Sequence, residues 1–365
     1  MAEKTSQNSP VINFTKPTLE AWLEAAKSEL NGANPIEKLT ISKGSLKIKP
    51  YYQSIPETNQ PDFSLQPSVN PYYGPRCWLN MPRILVSNEK QANQAALHCL
   101  ANGADGILFE PGKPTIQFET LLDQIKTEFC TLSWLVNNDY SDSISDLNLW
   151  IGKNELRKNI SGTIIWEESP KGDFNHLLAC SQVSPFGILV KDKHNPDDEI
   201  ADALVNAIST IEYMIKQKIS ADSAIRGISF SISMGTDFFM EIAKIKSLRN
   251  LWYQVQQAYG VAVAHPVHIH VTAKAWLDEH YQPHGNMIKS TTSAIAAILG
   301  GCDSLTIEPE AEQEMTNRIA RNVSSILRDE SYLSKVADPT AGSYYLDSLT
   351  ADLSEKAWQK FQSKV

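Results

Sequence analysis

Two short stretches carry the side chains best suited to chemistry. Lys191-Asp192-Lys193-His194 directly follows the apolar run Gly187-Val190, and His268 and His270 alternate within Val267-His268-Ile269-His270-Val271. Histidine titrates near neutrality, so it can orient a carbonyl by hydrogen bonding or serve as general acid or base. A lone histidine is nevertheless more often a satisfied polar residue than a catalyst, and both readings stay open on residue type. In an extended strand residues two apart project to one face, so His268 and His270 share a side and at least one can point inward. His265 falls on the other face, and with no carboxylate close by in sequence the three histidines do not read as a metal centre.

These residues need elements to hold them. From residue 83 onward, short apolar runs recur, each followed by a helical pattern: Arg83-Val86, Gly106-Phe109, Leu132-Val136, Gly187-Val190, Ile228-Ile232, Val267-Val271 and Ser304-Ile307, with Leu149-Ile151 and Ile164-Trp166 competing for the fourth place. Continuous apolar strands alternating with helices imply a parallel sheet covered by helices, and about eight units favour a closed (β/α)8 TIM barrel. A barrel places its working residues at the C-terminal ends of the strands, where Lys191-His194 lies. The periodicity predicts helices over 88–102, 198–216, 237–257 and 286–299, the last stopped by Gly300-Gly301. Ile319, Val323, Ile326 and Leu327 recur as one apolar face of a further helix.

Residues 1–80 read as an N-terminal extension, residues 81–350 as the barrel and residues 351–365 as a C-terminal helix. Within the extension, Leu19, Trp22, Leu23, Ala26 and Leu30 form a helical stripe that Asn31-Gly32 stops. That stripe needs a surface, supplied by this chain or by a partner subunit. Residues 50–80, rich in Pro, Tyr, Asn and Gln, predict an extended connector.

Composition narrows the classes. The 365 residues are 42% hydrophobic and 21% charged, with net charge −9. This suits a globular protein with a sizeable core and gives no basic patch for nucleic acid. The five cysteines are scattered without a Cys-x-x-Cys pair, as expected of reduced thiols in the cytoplasm. No apolar run reaches membrane-spanning length and the first residues lack a signal-peptide core. The dinucleotide, P-loop, serine-hydrolase and zinc-protease motifs are all missing.

Four segments together resemble the barrel portion of the methylmalonyl-CoA mutase family. They are EAWLEAAKSELNGANPIEKL (20–39), DFFMEIAKIKSLRNLW (237–252), NMIKSTTSAIAAILGGCDSLTI (286–307) and RIARNVSSILRDESYLSKVADPTAGSYYLDSLT (318–350), in the family's order. The first is most similar to the family's small, or β, subunit. The resemblance implies a heterodimer with a large, or α, subunit, adenosylcobalamin in the assembled complex, and isomerisation of methylmalonyl-CoA and succinyl-CoA with CoA threaded along the barrel axis.

The departures from the family pattern are specific. The family's cobalamin motif Asp-x-His-x-x-Gly is absent, so no cofactor is expected on this chain alone. The family's Arg-x-Tyr-Ala-Gly is replaced around Arg83 by Met81-Pro82-Arg83-Ile84-Leu85. His194 and His270 match family histidines and are the candidate catalytic residues, while Arg83, Lys193, His268 and Thr272 occupy substrate-binding positions with changed residue types. The family's Ser-Leu-His-Thr-Asn reads Ser304-Leu305-Thr306-Ile307-Glu308. Two expectations follow: a non-catalytic small subunit that stabilises the large one, or an acyl-CoA-binding barrel active with cobalamin from a separate protein or a missing C-terminal domain. The isolated chain is a possible homodimer.

Overall fold

The computed structural model describes residues 18–54, 65–68, 73–153, 155–193, 195–261, 264–274, 285–311 and 313–365. Helix α1 (Leu19–Glu29) starts at Thr18, whose hydroxyl accepts the Ala21 amide, and stops at Asn31 and Gly32, both with positive φ. None of its residues is buried; its Trp22 stacks on Tyr51. A short helix α2 (Pro35–Leu39) leads into the antiparallel hairpin β1 (Ile41–Lys43) and β2 (Leu46–Ile48).

The remaining strands are β3 (Leu79–Asn80), β4 (Arg83–Val86), β5 (Gly106–Pro111), β6 (Thr131–Val136), β7 (Ser161–Trp166), β8 (Gln182–Val190), β9 (Ile228–Met234), β10 (His268–Ala273) and β11 (Ser304–Ile307). They pair in parallel in the order β3-β11-β10-β9-β8-β7-β6-β5-β4. The two ends of that order, β3 and β4, are halves of one chain segment interrupted at Met81-Pro82. The first half bonds β11 and the second bonds β5, so the sheet closes on itself as a (β/α)8 barrel.

Helices wrap the outside: α3 (Glu89–Ala101), α4 (Phe118–Leu121), α5 (Asp142–Gly152), α6 (Asn175–Leu178), α7 (Pro196–Lys216), α8 (Ala221–Arg226), α9 (Phe238–Ala258), α10 (Gly285–Gly300), α11 (Glu314–Ser325) and α12 (Tyr344–Gln362). The contest for the fourth strand is settled in favour of Ile164–Trp166. Leu149–Ile151 belongs to α5, whose Ile144, Leu147 and Ile151 repeat at helical spacing and are buried. The large core lies between sheet and helices, where Phe109, Trp134, Trp166, Phe230 and Trp252 pack. Gly162, at φ +152, admits no side chain because a Cβ there would stand 1.8 Å from the Leu132 carbonyl oxygen.

The segment after the last strand does structural work. Helix α11 buries Val323 and passes into a π-helical turn, Ile326–Glu330, which buries Leu327 and Arg328. Ile319, Val323, Ile326 and Leu327 line one groove, as the spacing predicted, although Ile326 is 45% exposed there. Arg328 donates to the Trp78 carbonyl (2.6 Å) and to Asp105 (2.9 Å) while its guanidinium faces the rings of Tyr73 and Trp78. In the Asp-Pro-Thr-Ala-Gly-Ser turn, Asp338 accepts from Lys246 (2.9 Å) and Thr340, tying the turn to α9, and Ser343 caps α12. Helix α12 runs unbroken across residue 350 and packs on α7 and α9, so the C-terminal turns belong to the barrel wall.

Candidate functional site

Strand parity gives this barrel an unusual interior. Paired residues of parallel neighbours share a face, so the registers Ser231↔His270↔Ser304 and Ser229↔His268 place these side chains on the same side. Outward-facing Ile232, Ile269, Val271 and Leu305 fill the core beneath the helices. Inward, Ser133, Thr163, Ser229, Ser231, His270, Ser304 and Thr306 are all buried. Most barrels fill this space with layers of branched aliphatic residues. Buried hydroxyls need partners, and several find one another: Thr163 donates to Ser133 (3.2 Å), and the Thr306 hydroxyl donates to the Met81 carbonyl (2.6 Å). Gly187 leaves room for Ser229, whose hydroxyl lies 2.9 Å from where a Cβ would stand.

His270 sits in the middle of this network. It is 2% exposed; its Nδ1 is 2.8 Å from the Ser231 hydroxyl and its Nε2 2.9 Å from the Thr306 hydroxyl. Burial first, then the nearby His268 and the Arg83 charge, push its pKa down to about 3. The ring is therefore neutral at pH 7 and both nitrogens are engaged. His268 lies one step nearer the strand's N-terminal end, with Nε2 2.8 Å from the Ser304 hydroxyl and its pKa likewise lowered by burial. The expectation that at least one of these histidines faces inward is met by both. His265 lies apart from them, with Nε2 2.9 Å from Asp222.

At the mouth, Arg83 lies between two carboxylates, Glu308 (3.3 Å) and Glu110 (3.7 Å). Thr272 stands one register step above His270, paired with Ser233 and Thr306. Arg83, His268, His270 and Thr272 are thus brought to one interior, but Lys193 is not: its ammonium pairs with Asp202 on α7, which also receives Lys364. His194 lies outside the described residues. The loop before it is anchored from below, since the Lys193 amide donates to Glu199 (3.0 Å) and Glu199 in turn accepts from Lys244 (2.9 Å). Lys244 is 2% exposed and also pairs with Glu241 (2.8 Å). Burial alone would lower the Lys244 pKa, but the two carboxylates outweigh it and raise it. Lys274 reaches Asp192 (2.6 Å), joining the loops after β10 and β8.

Sequence reasoning centred on the histidines missed the hydroxyls that hold them. The signal was present in Ile-Ser-Phe-Ser-Ile-Ser, His-Ile-His-Val-Thr and Ser-Leu-Thr-Ile, where polar and apolar residues alternate through three successive strands. Nor do these residues suit a cobalamin. A corrin-held cobalt would ask the protein for one axial nitrogen, and both His270 nitrogens are already committed to hydroxyls.

Comparison with known proteins finds likenesses in sequence and in structure. A family described as methylmalonyl-CoA mutase matches residues 192–364. The methylmalonyl-CoA mutase small subunit of Porphyromonas gingivalis is 26% identical over 96% of this chain and 63% of its own length. That of Streptomyces virginiae is 24% identical over 97% and 64%. That of Propionibacterium freudenreichii is 30% identical over 45% and 27%. The chain thus spans less than two thirds of the length of these relatives. Among solved structures, a dihydropteroate synthase of Yersinia pestis aligns at 14% identity and TM-score 0.35, covering 68% of this chain and 93% of that one.

Proposed function

Since this chain belongs to the methylmalonyl-CoA mutase family, we propose that it is a small subunit whose barrel is non-catalytic and stabilises a large, cobalamin-bearing subunit that isomerises methylmalonyl-CoA and succinyl-CoA. The observation that carries this reading is the commitment of the side chains at the family's active positions. His270 is neutral, buried and hydrogen bonded at both nitrogens; Arg83 is held by Glu110 and Glu308; Lys193 is turned to Asp202. A residue that orients a thioester or transfers a proton must offer a free donor or acceptor to it; His270 has neither ring nitrogen left to offer, and the charges of Arg83 and Lys193 are paired with carboxylates of this chain.

The cofactor's radical chemistry then belongs to the partner chain, and this chain's residues take no step in it. What the barrel supplies is a rigid body. At its mouth Lys193 is held through Glu199 and Lys244, and Asp192 through Lys274, so a partner docking on these residues would meet side chains already ordered, with little entropy left to lose. Neither a membrane nor a nucleic acid enters this reading. No described helix is long and apolar enough to cross a bilayer, and the net charge of −9 opposes phosphate binding.

The test is coexpression with a candidate large subunit, followed by gel filtration and the half-life of mutase activity at 37 °C. Co-elution, with a half-life shortened when this chain is omitted, supports the proposal. A chain that stays monomeric and leaves the half-life unchanged removes it.

A further inference from the structure

The barrel's strand ladder is interrupted where its first strand meets its last, and Arg83 spans the mouth of that break. Seven of the eight strand junctions are ladders between labelled strands, the β7–β8 pair with a register shift between Thr163 and Ile165. The eighth, between the first strand and the last, is different. There the ladder runs through Leu79, Asn80 and Met81, whose amide donates to the Leu305 carbonyl (2.9 Å), and the strand then meets Pro82, which has no amide to give. Beyond Pro82, β4 pairs with β5 alone. The space left between the separating strands is a cleft of about 120 Å³, floored by Asn80, Pro82, Thr306 and Ile307 and flanked by α3 and α11.

We infer that Arg83 is a clamp, holding the mouth of the barrel shut across this seam by pairing Glu110 on the first strand's partner with Glu308 at the end of the last strand. Its Nη2 is 3.3 Å from Glu308 and its Nε 3.7 Å from Glu110, so one guanidinium joins carboxylates on either side of the gap. Arginine suits the task because its planar fork can face two acceptors at once. The side chain is 39% exposed, so the contacts are screened by salt and each is weak alone. Below the seam the closure is of another kind: the buried Thr306 hydroxyl donates to the Met81 carbonyl (2.6 Å), independent of salt. The seam is therefore sealed by hydrogen bonds in its lower half and by charge in its upper half. This inference concerns the barrel itself and stands whether or not the chain has a mutase partner.

Native-state hydrogen exchange of the full chain, read by mass spectrometry, tests it. Peptides covering 83–86 and 304–308 report the seam, and one covering 161–166 reports the opposite wall. Arg83→Gln is expected to raise exchange in the seam peptides by roughly 3- to 10-fold with the 161–166 peptide unchanged, and Arg83→Lys, which keeps the charge, to raise it less. Raising NaCl from 50 mM to 1 M on the unaltered chain is expected to give the same seam-selective change, which guards against a variant that fails to fold. Exchange that is unaffected in the seam, or that rises equally in all three peptides, would overturn the clamp.

Discussion

The two ends of the barrel use charge in opposite ways. At the N-terminal face, Arg249 donates to the Val267 carbonyl (2.9 Å), the Gly301 carbonyl (2.7 Å) and Asp303 (2.8 Å), while Arg76 serves the carbonyls of Ile298 and Cys302 and Arg328 joins Trp78 to Asp105. All three arginines are buried, and each satisfies carbonyls that strand and helix ends would otherwise leave bare. At the C-terminal face, above the buried Lys244, the outermost cations Arg83, Lys193 and Lys274 make pairs open to solvent. The first arrangement specifies a scaffold, because removing one partner strands a buried charge. The second trims a surface.

The largest effect should come from the buried charges. Arg328→Ala leaves Asp105 without its cation and removes the packing between Tyr73 and Trp78, and a loss on the order of 3–5 kcal/mol is expected by urea denaturation. Lys244→Ala, which strands Glu199 and Glu241, should cost about as much even though it lies near the mouth. If either costs less than 1 kcal/mol, burial does not separate the two kinds of charge. The variants then rank by exposure: Arg83→Gln, at a half-open site, is expected to cost about 0.5–1 kcal/mol after screening.

Between these extremes lies an effect of pH. His270 has a folded pKa of about 3 against an ordinary value of 6.5. As pH falls below about 6.5 the unfolded chain takes up a proton that the folded barrel refuses, so stability declines with acid until the folded pKa is reached. Between pH 6.5 and 5 the loss should approach about 2 kcal/mol. His268, also depressed, steepens the decline in this window, whereas Asp303, held below the usual carboxylate range, adds to it only below about pH 4. His270→Gln should flatten the curve over this window, and parallel curves for variant and parent would show that the ring is not excluded from solvent.

How much of this was legible in the sequence depends on the range of the interaction. The alternation of strands and helices and the Asn31-Gly32 and Gly300-Gly301 stops are local, and they predicted the elements that form. The fourth strand was ambiguous because Leu149–Ile151 is a short apolar run, and such runs suit a buried helix as well as a strand. Pro82 cannot donate to a strand ladder, a local signal that the reading of the strands passed over. Its consequence did not show, since Arg83 and Glu308 are distant in sequence and meet only once the barrel closes. The histidines were found by residue type, but what they do was set by Ser231 and Thr306 on neighbouring strands.

The central claim is that this barrel's interior takes no part in turnover. The direct test is the kcat of the mutase assembled from the large subunit and a His270→Gln chain, with assembly verified by gel filtration. The account predicts a kcat within about twofold of the unaltered complex, because the ring meets no substrate. An intact complex whose kcat falls 100-fold or more, a transition-state loss of about 2.7 kcal/mol, would contradict it and return His270 to the chemistry.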